Sequence, residues 1–190
     1  MNYLAHAYLS NQQSHLLVGN FIADHIRGNK FEDLPANIIE GIHMHRKIDS
    51  FTDAHPEFKK AKRVFYDGFE KHSGILVDIY FDHLLAKNFK NYSSTPLIDF
   101  SNSVYSVYVK NSNFLPEGSN RFLSYVIKNN IYHAYASEEG IKTVLYHLSN
   151  RIQHNVQLDT SFLLFQKHEE SLNDSFGTFF EDACKTFLRD

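Results

Sequence analysis

Aspartate and histidine gather in four short segments of the first half of the chain. Of 12 histidines, 8 lie within the first 83 residues. The first segment offers His6. The second runs Gly19-Asn20-Phe21-Ile22-Ala23-Asp24-His25-Ile26-Arg27-Gly28. The third is Gly41-Ile42-His43-Met44-His45-Arg46-Lys47-Ile48-Asp49, followed by Thr52-Asp53, and the fourth is Asp78-Ile79-Tyr80-Phe81-Asp82-His83. Asp78 and Asp82 are four apart, so a helix presents both carboxylates on one face. Two such charges repel, and a divalent cation between them removes the penalty. His83 sits on the adjacent flank. Asn20 and Asp24 share a face in the same way, as do Asp49 and Asp53 if their helix continues that far. Mixed imidazole and carboxylate donors suit Mn²⁺, Fe²⁺ or Zn²⁺ better than Ca²⁺, which takes oxygen only. A metal so held lowers the pKa of a coordinated water and polarises a phosphoryl oxygen. Arg27, Arg46 and Lys47 lie beside these candidates and could neutralise a phosphate, with Arg favoured for bidentate contact.

Each reading has a plainer alternative. A single histidine on an amphipathic helix is more often a surface or satisfied core residue than a ligand. Asp78 and Asp82 alone could be a solvated face. Their neighbours Ile75, Val77, Ile79, Tyr80, Phe81, Leu84 and Leu85 are apolar, however, and carboxylates there need a partner or a metal. Asp49 and Asp53 read equally well as helix-ending and capping residues. His15, His25, His55 and His72 are assigned to surface or capping roles, and His133, His147, His154 and His168 receive no site role. No Gly-rich phosphate loop or nucleophile elbow is present. Cys184 follows Phe179-Phe180 and reads as a buried, inert thiol. A Ser/His/Asp triad assembles in space and so stays open.

The elements that must position these residues read as helices. With 8 Gly and 4 Pro in 190 residues, turns are few and long helices are favoured. The expectation is an all-α, single-domain bundle of about seven or eight helices covering residues 1–190. Ser14 suits the N-cap of a helix running to Arg27, with Gly28 as its stop. Pro35 suits the first turn of the next, which reaches about Asp49. Pro56 opens a third, and Gly74 starts a fourth that ends near Phe89. Further helices are expected at about 96–109, 120–130, 137–156 and 159–188. The net charge of −3 argues against nucleic acid as the main partner. One cysteine permits no intrachain disulfide, which fits a reducing cytoplasm. No signal peptide and no membrane span are expected.

These residues carry a resemblance. Asn2-Tyr3-Leu4-Ala5-His6, Gly19 to Asp24 with Arg27-Gly28, Gly41 to Asp49 with Thr52-Asp53 and Pro56, and Asp78 with Phe81-Asp82-His83 occur in order. Together they resemble the acyl carrier protein phosphodiesterases. The specific motifs end near residue 90, and the later half matches in length, helical character and isolated positions such as Tyr132 and Arg151. The resemblance implies an HD-like, all-α phosphohydrolase that prefers Mn²⁺. The implied reaction cleaves the phosphodiester joining 4′-phosphopantetheine to a serine of holo-acyl carrier protein. The chain departs from ordinary HD enzymes in one respect, because its adjacent pair is Asp82-His83 rather than His-Asp.

On this reading Asp24, His43, Asp78 and Asp82 hold metal, with His6 and His83 as further ligands or supporting groups. His45 or His83 protonates the leaving serine. Arg27 and Arg46, with Lys47 beside them, bind the phosphodiester oxygens. The basic run Lys59-Lys60-Ala61-Lys62-Arg63 is a candidate docking face for the acidic carrier protein, and equally a solvated helix face. Two other functions stay open. One is an HD-like phosphohydrolase of nucleotides or other small phosphoesters. The other is a non-catalytic helical module that binds a carrier protein.

Overall fold

The structure, a computed structural model, describes residues 2–26, 28, 31, 33–152 and 156–188. Among these residues every regular element is helical. In chain order they are α1 (Tyr3–Leu9), α2 (Ser14–Ile22), a 3₁₀ turn (Ala23–His25), α3 (Ala36–Ala54), α4 (Pro56–Val64) and α5 (Tyr66–Phe69). There follow α6 (Ser73–Lys87), α7 (Leu97–Lys110), α8 (Glu117–Lys128), α9 (Ile131–Ala134), α10 (Glu138–Ser149), α11 (Phe162–Lys167) and α12 (Glu169–Phe187). The all-α expectation holds, and several expected helices are shorter or divided. The helix expected to reach Arg27 tightens into the 3₁₀ turn and stops at Ile26 in extended backbone. The one expected over 159–188 is split at His168, whose φ of −117° leaves the helical range. Asn130 takes φ 42° and separates α8 from α9.

Local chemistry explains the boundaries that match. Pro56 occupies the first turn of α4, where its missing N–H costs nothing. Its N-cap is His55, whose Nδ1 accepts from the Glu57 N–H at 3.3 Å. Ser137 caps α10 by accepting from the Gly140 N–H at 3.1 Å.

The centre of the molecule is α6, which is buried on nearly every side through Leu76, Val77 and Ile79 to Ala86. Aromatic rings pack around it. Phe65, Tyr80 and Phe165 form a stacked row with centroid spacings of 5.2 and 4.6 Å. Burying each such ring contributes roughly 2–3 kcal/mol. The Tyr80 hydroxyl meets Ser161 Oγ at 2.7 Å, so its polar end is satisfied. One continuous apolar cluster runs from α1 to α12.

The most extensive helix pair is α2 against α3. Two glycines make the crossing possible. A Cβ on Gly19 would lie 2.0 Å from the Ile38 carbonyl oxygen and 2.8 Å from Gly41 Cα. A Cβ on Gly41 would lie 2.6 Å from the Leu16 carbonyl oxygen. The two backbones therefore touch, and the residues one turn beyond are drawn together. Among the described residues no helix is long and apolar enough to cross a membrane.

Candidate metal centre

Three elements deliver the central group. Helix α1 carries His6, and α3 carries His45 and Asp49 on one face. Both histidines are buried, at 5% and 6% exposure. Their rings stack with centroids 4.2 Å apart and planes 20° apart. One Asp49 carboxylate spans both, with Oδ1 3.1 Å from His6 Nε2 and Oδ2 3.0 Å from His45 Nε2. Asp24, in the 3₁₀ turn, reaches His45 Nε2 at 3.2 Å.

Asn20 on α2 sets the orientation of His45. Its Oδ1 lies 2.8 Å from His45 Nδ1. Its amide nitrogen donates to the His6 carbonyl oxygen at 3.3 Å and to Ser10 Oγ at 3.1 Å, which leaves Oδ1 as the acceptor. His45 Nδ1 must therefore carry the proton, and Nε2 is turned toward Asp24 and Asp49. This is how a metal-binding imidazole is usually oriented, by a hydrogen bond at its other nitrogen.

The electrostatics follow from burial and pairing. Burial works against a charge on His6 and pulls it down to about 4, although its bond to Asp49 opposes this. Burial pushes His45 the same way, but hydrogen bonds to Asp24 and Asp49 outweigh it and raise His45 to about 9. Burial favours the neutral form of Asp49, yet the bonds from His45 and His6 hold it well below the usual carboxylate range. Asp24 is lowered for the same reason by His45. Each of His6, His45 and Asp49 offers one ligand atom, and these atoms lie within 4.8 Å of one another. Two imidazoles and a carboxylate at that spacing fit a divalent transition ion.

The group opens onto a cavity of about 460 Å³. Its acidic and imidazole lining includes His45, Asp24, Asp49, Asp53 and Asp78. Its lining from the C-terminal half includes Phe122, Tyr125, Ile131, Val144, Leu148 and Arg151. The Arg151 guanidinium lies over the Tyr125 ring at 5.2 Å. Asp78 is half-buried at this cavity, and burial lifts it above the ordinary carboxylate range.

Of the residues expected at the site, His6, Asp24 and His45 come together, and Asp78 lines the cavity. The others are placed elsewhere. His43 lies two residues from His45, about 200° around the helix. It is exposed and meets Phe31 edge-on at 5.5 Å. Arg46 and Lys47 share that side with it, lining a separate depression. Arg46 there donates to the Gly28 carbonyl at 2.5 Å and lies over Phe31. Asp82 is fully buried, and its two oxygens accept from the Leu4 and Ala5 N–H groups at 2.8 and 3.0 Å. His83 Nδ1 meets the Tyr135 carbonyl at 2.6 Å, and burial lowers its pKa. Arg27 lies outside the described residues. Lys59, Lys60 and Arg63 are exposed on α4, with Lys60 bonded to Glu57 at 3.1 Å. Lys62 is half-buried over the Phe58 ring.

Asp49 joins the group although its spacing alone read as well for a helix end. The signal that finds it is the i, i+4 relation to His45. Arg151 is flagged in the sequence only as an isolated match to the family, and nothing local announces the apolar lining.

Fold and group together define the class: an all-α protein with a His/Asp centre able to hold a metal ion. Comparison with known proteins makes the class specific. Residues 1–183 match the family described as acyl carrier protein phosphodiesterase. A protein of that name from Pectobacterium atrosepticum is 33% identical over 95% of this chain and 94% of its own. Namesakes from Yersinia pestis and Escherichia coli O6:H1 are 32% and 30% identical over the same shares. No solved structure matches. The chain belongs to the acyl carrier protein phosphodiesterase family.

Proposed function

We propose that this protein hydrolyses the phosphodiester between 4′-phosphopantetheine and the serine of holo-acyl carrier protein. The products are apo-carrier protein and free 4′-phosphopantetheine, and the setting is the cytoplasm. The observation that carries this reading is the His6–His45–Asp49 group, of which His45 and Asp49 line a cavity that has both polar and apolar residues. A phosphodiester bearing an extended arm has the same mixed character.

His6, His45 and Asp49 would hold the ion, with Asp24 beside them; the mixed donors accept Mn²⁺, Fe²⁺ or Zn²⁺, and the family resemblance favours Mn²⁺. When bound, the ion supplies charge for the phosphoryl oxygens and acidifies a coordinated water. The protein's own groups do the rest. Asn20 keeps the His45 proton on Nδ1 and so presents Nε2 to the cavity. Arg151, which lines the same cavity, neutralises a phosphoryl oxygen. Asp78, kept protonated more readily by its burial, delivers a proton to the departing serine oxygen. The apolar lining receives the pantetheine arm and excludes water from it.

The carrier protein docks on α4 through Lys59, Lys60, Lys62 and Arg63. Lys62 supports this placement, because its side chain lies 3.9 Å from the position of a Cβ on Gly74, the residue before cavity-lining Ile75. The test is incubation of holo-carrier protein with the protein and Mn²⁺, followed by intact-mass spectrometry. Loss of the phosphopantetheine mass, abolished in His45→Ala and Asp49→Ala, is the expected result. Unchanged holo-carrier at stoichiometric enzyme with Mn²⁺, Fe²⁺ and Zn²⁺ in turn overturns the assignment.

A further inference from the structure

We infer that Asp82 is a positioning residue for the site: with His83 it braces the first turn of α1 and so holds His6 against Asp49. Helix α1 has 7 residues, too few to be stable by itself. Its pose therefore depends on what grips its start. Every N–H of that first turn has an identified acceptor. Tyr3 donates to Asn2 Oδ1 at 2.9 Å, Leu4 to Asp82 Oδ2 at 2.8 Å and Ala5 to Asp82 Oδ1 at 3.0 Å. The His6 N–H donates to the Asn2 carbonyl at 3.1 Å.

Asp82 contributes two of these bonds from the most buried helix of the molecule, and it is 0% exposed. A carboxylate so placed is tolerated only with its oxygens satisfied, and the helix N-terminus adds a favourable dipole. Moving α1 away by about 1 Å would break both. The adjacent residue acts by a second route. His83 Nδ1 meets the Tyr135 carbonyl at 2.6 Å, and the Tyr135 hydroxyl accepts from Asn2 Nδ2 at 3.0 Å. Asn2 is the N-cap of α1. Asp82 thus grips the first turn directly, and His83 grips its cap through Tyr135. Neither side chain bonds to His6, His45 or Asp49, so the pair shapes the centre from one remove.

The consequence for metal rests on the reading that His6 is a ligand. Supporting groups around ligands are worth about 10- to 100-fold in metal affinity. Asp82→Asn keeps the shape but turns an NH₂ toward a backbone N–H. It is expected to weaken Mn²⁺ binding, measured by calorimetry, by about 10-fold or more. Turnover at saturating Mn²⁺ should recover to within a few-fold. Tyr135→Phe, which removes only the hydroxyl, should weaken binding a few-fold. The control is Tyr80→Phe on the same helix, whose buried hydroxyl serves Ser161. It should lower the melting temperature and leave Mn²⁺ affinity alone. Wild-type affinity in Asp82→Asn overturns the inference, and so does a loss no larger than that of Tyr80→Phe. If Asp82→Asn does not fold, unchanged affinity in Tyr135→Phe overturns it. If the wild-type protein takes up no Mn²⁺, the metal reading fails and the brace is judged separately. Amide exchange at Leu4, Ala5 and His6 in metal-free protein should then be faster in Asp82→Asn, or in Tyr135→Phe where that variant alone folds, than in wild type and Tyr80→Phe. Equal exchange rejects the brace.

Discussion

Asp49 serves two histidine rings at once, one carboxylate oxygen to each. That arrangement makes the metal-free protein sensitive to pH on both sides. His45 is raised to about 9 from an ordinary value of 6.5, so its contribution is complete below pH 6.5 and is lost as pH rises through 9. The half-exposed carboxylates reduce its size to the order of 2 kcal/mol. His6 acts with the opposite sign. It is held down at about 4, so the unfolded chain takes up its proton first and stability is lost as pH falls from 6.5 toward 4. Thermal melts without metal should therefore lose the His45 contribution between pH 6.5 and 9, while buried Asp82, raised to about 7 by desolvation, adds a separate loss as pH rises toward 7. In His45→Gln the alkaline decline should flatten, and a wild-type profile level from pH 6.5 to 9 contradicts the pairing. Asn20 belongs to the same scale. Asn20→Ala strips the Nδ1 partner from His45 and leaves the Ser10 hydroxyl and His6 carbonyl without its amide. It should cost about 1–3 kcal/mol in a denaturant melt. It should also weaken Mn²⁺ binding by about 10-fold, read by calorimetry.

At the scale of elements, the α2–α3 crossing governs whether Asn20 meets His45. Gly19 and Gly41 allow it, since a methyl group on either would collide with backbone rather than with a movable side chain. Gly41→Ala should therefore force the helices apart and destabilise the fold by about 1–3 kcal/mol or more. The diagnostic outcome is a loss of Mn²⁺ affinity together with stability. Gly177→Ala on α12, where a Cβ meets nothing within 4 Å, should leave Mn²⁺ affinity alone and raise stability by about 0.5–1 kcal/mol. A Gly41→Ala variant that melts and binds Mn²⁺ as wild type would show the contact to be slack. The brace from α6 to α1 works at this scale too, since it ties a short helix to the buried centre.

For the whole molecule, the first half supplies the polar group and the second half supplies much of the apolar lining. Arg151 and Tyr125 line the same cavity as Asp24, Asp49 and Asp78. The net charge is −3, so attraction for an acidic protein must be local. The basic face of α4 is the local feature proposed to supply it. Changing Lys59, Lys60, Lys62 and Arg63 together to Glu should raise KM by about 10-fold or more at low salt and flatten its salt dependence, with kcat little changed. Initial rates across a salt series check it, and an unaltered KM removes α4 from the docking surface.

The sequence by itself determined the helical character, most helix starts and the pool of His and Asp residues from which the candidate site is drawn. Those features are local: Pro56 and Ser137 act within one turn, and His45 with Asp49 obey the helical period. It could not separate His45 from His43, or Asp49 from Asp82, because each pair offers the same donors. Only the tertiary structure decided among them. His43 falls on the far side of α3, and Asp82 is consumed by the amides of α1. The physical reason is that a side chain's chemistry is intrinsic, while its partners come from packing. Here glycine contact between α2 and α3 and a buried carboxylate beneath α1 bring distant residues within bonding range.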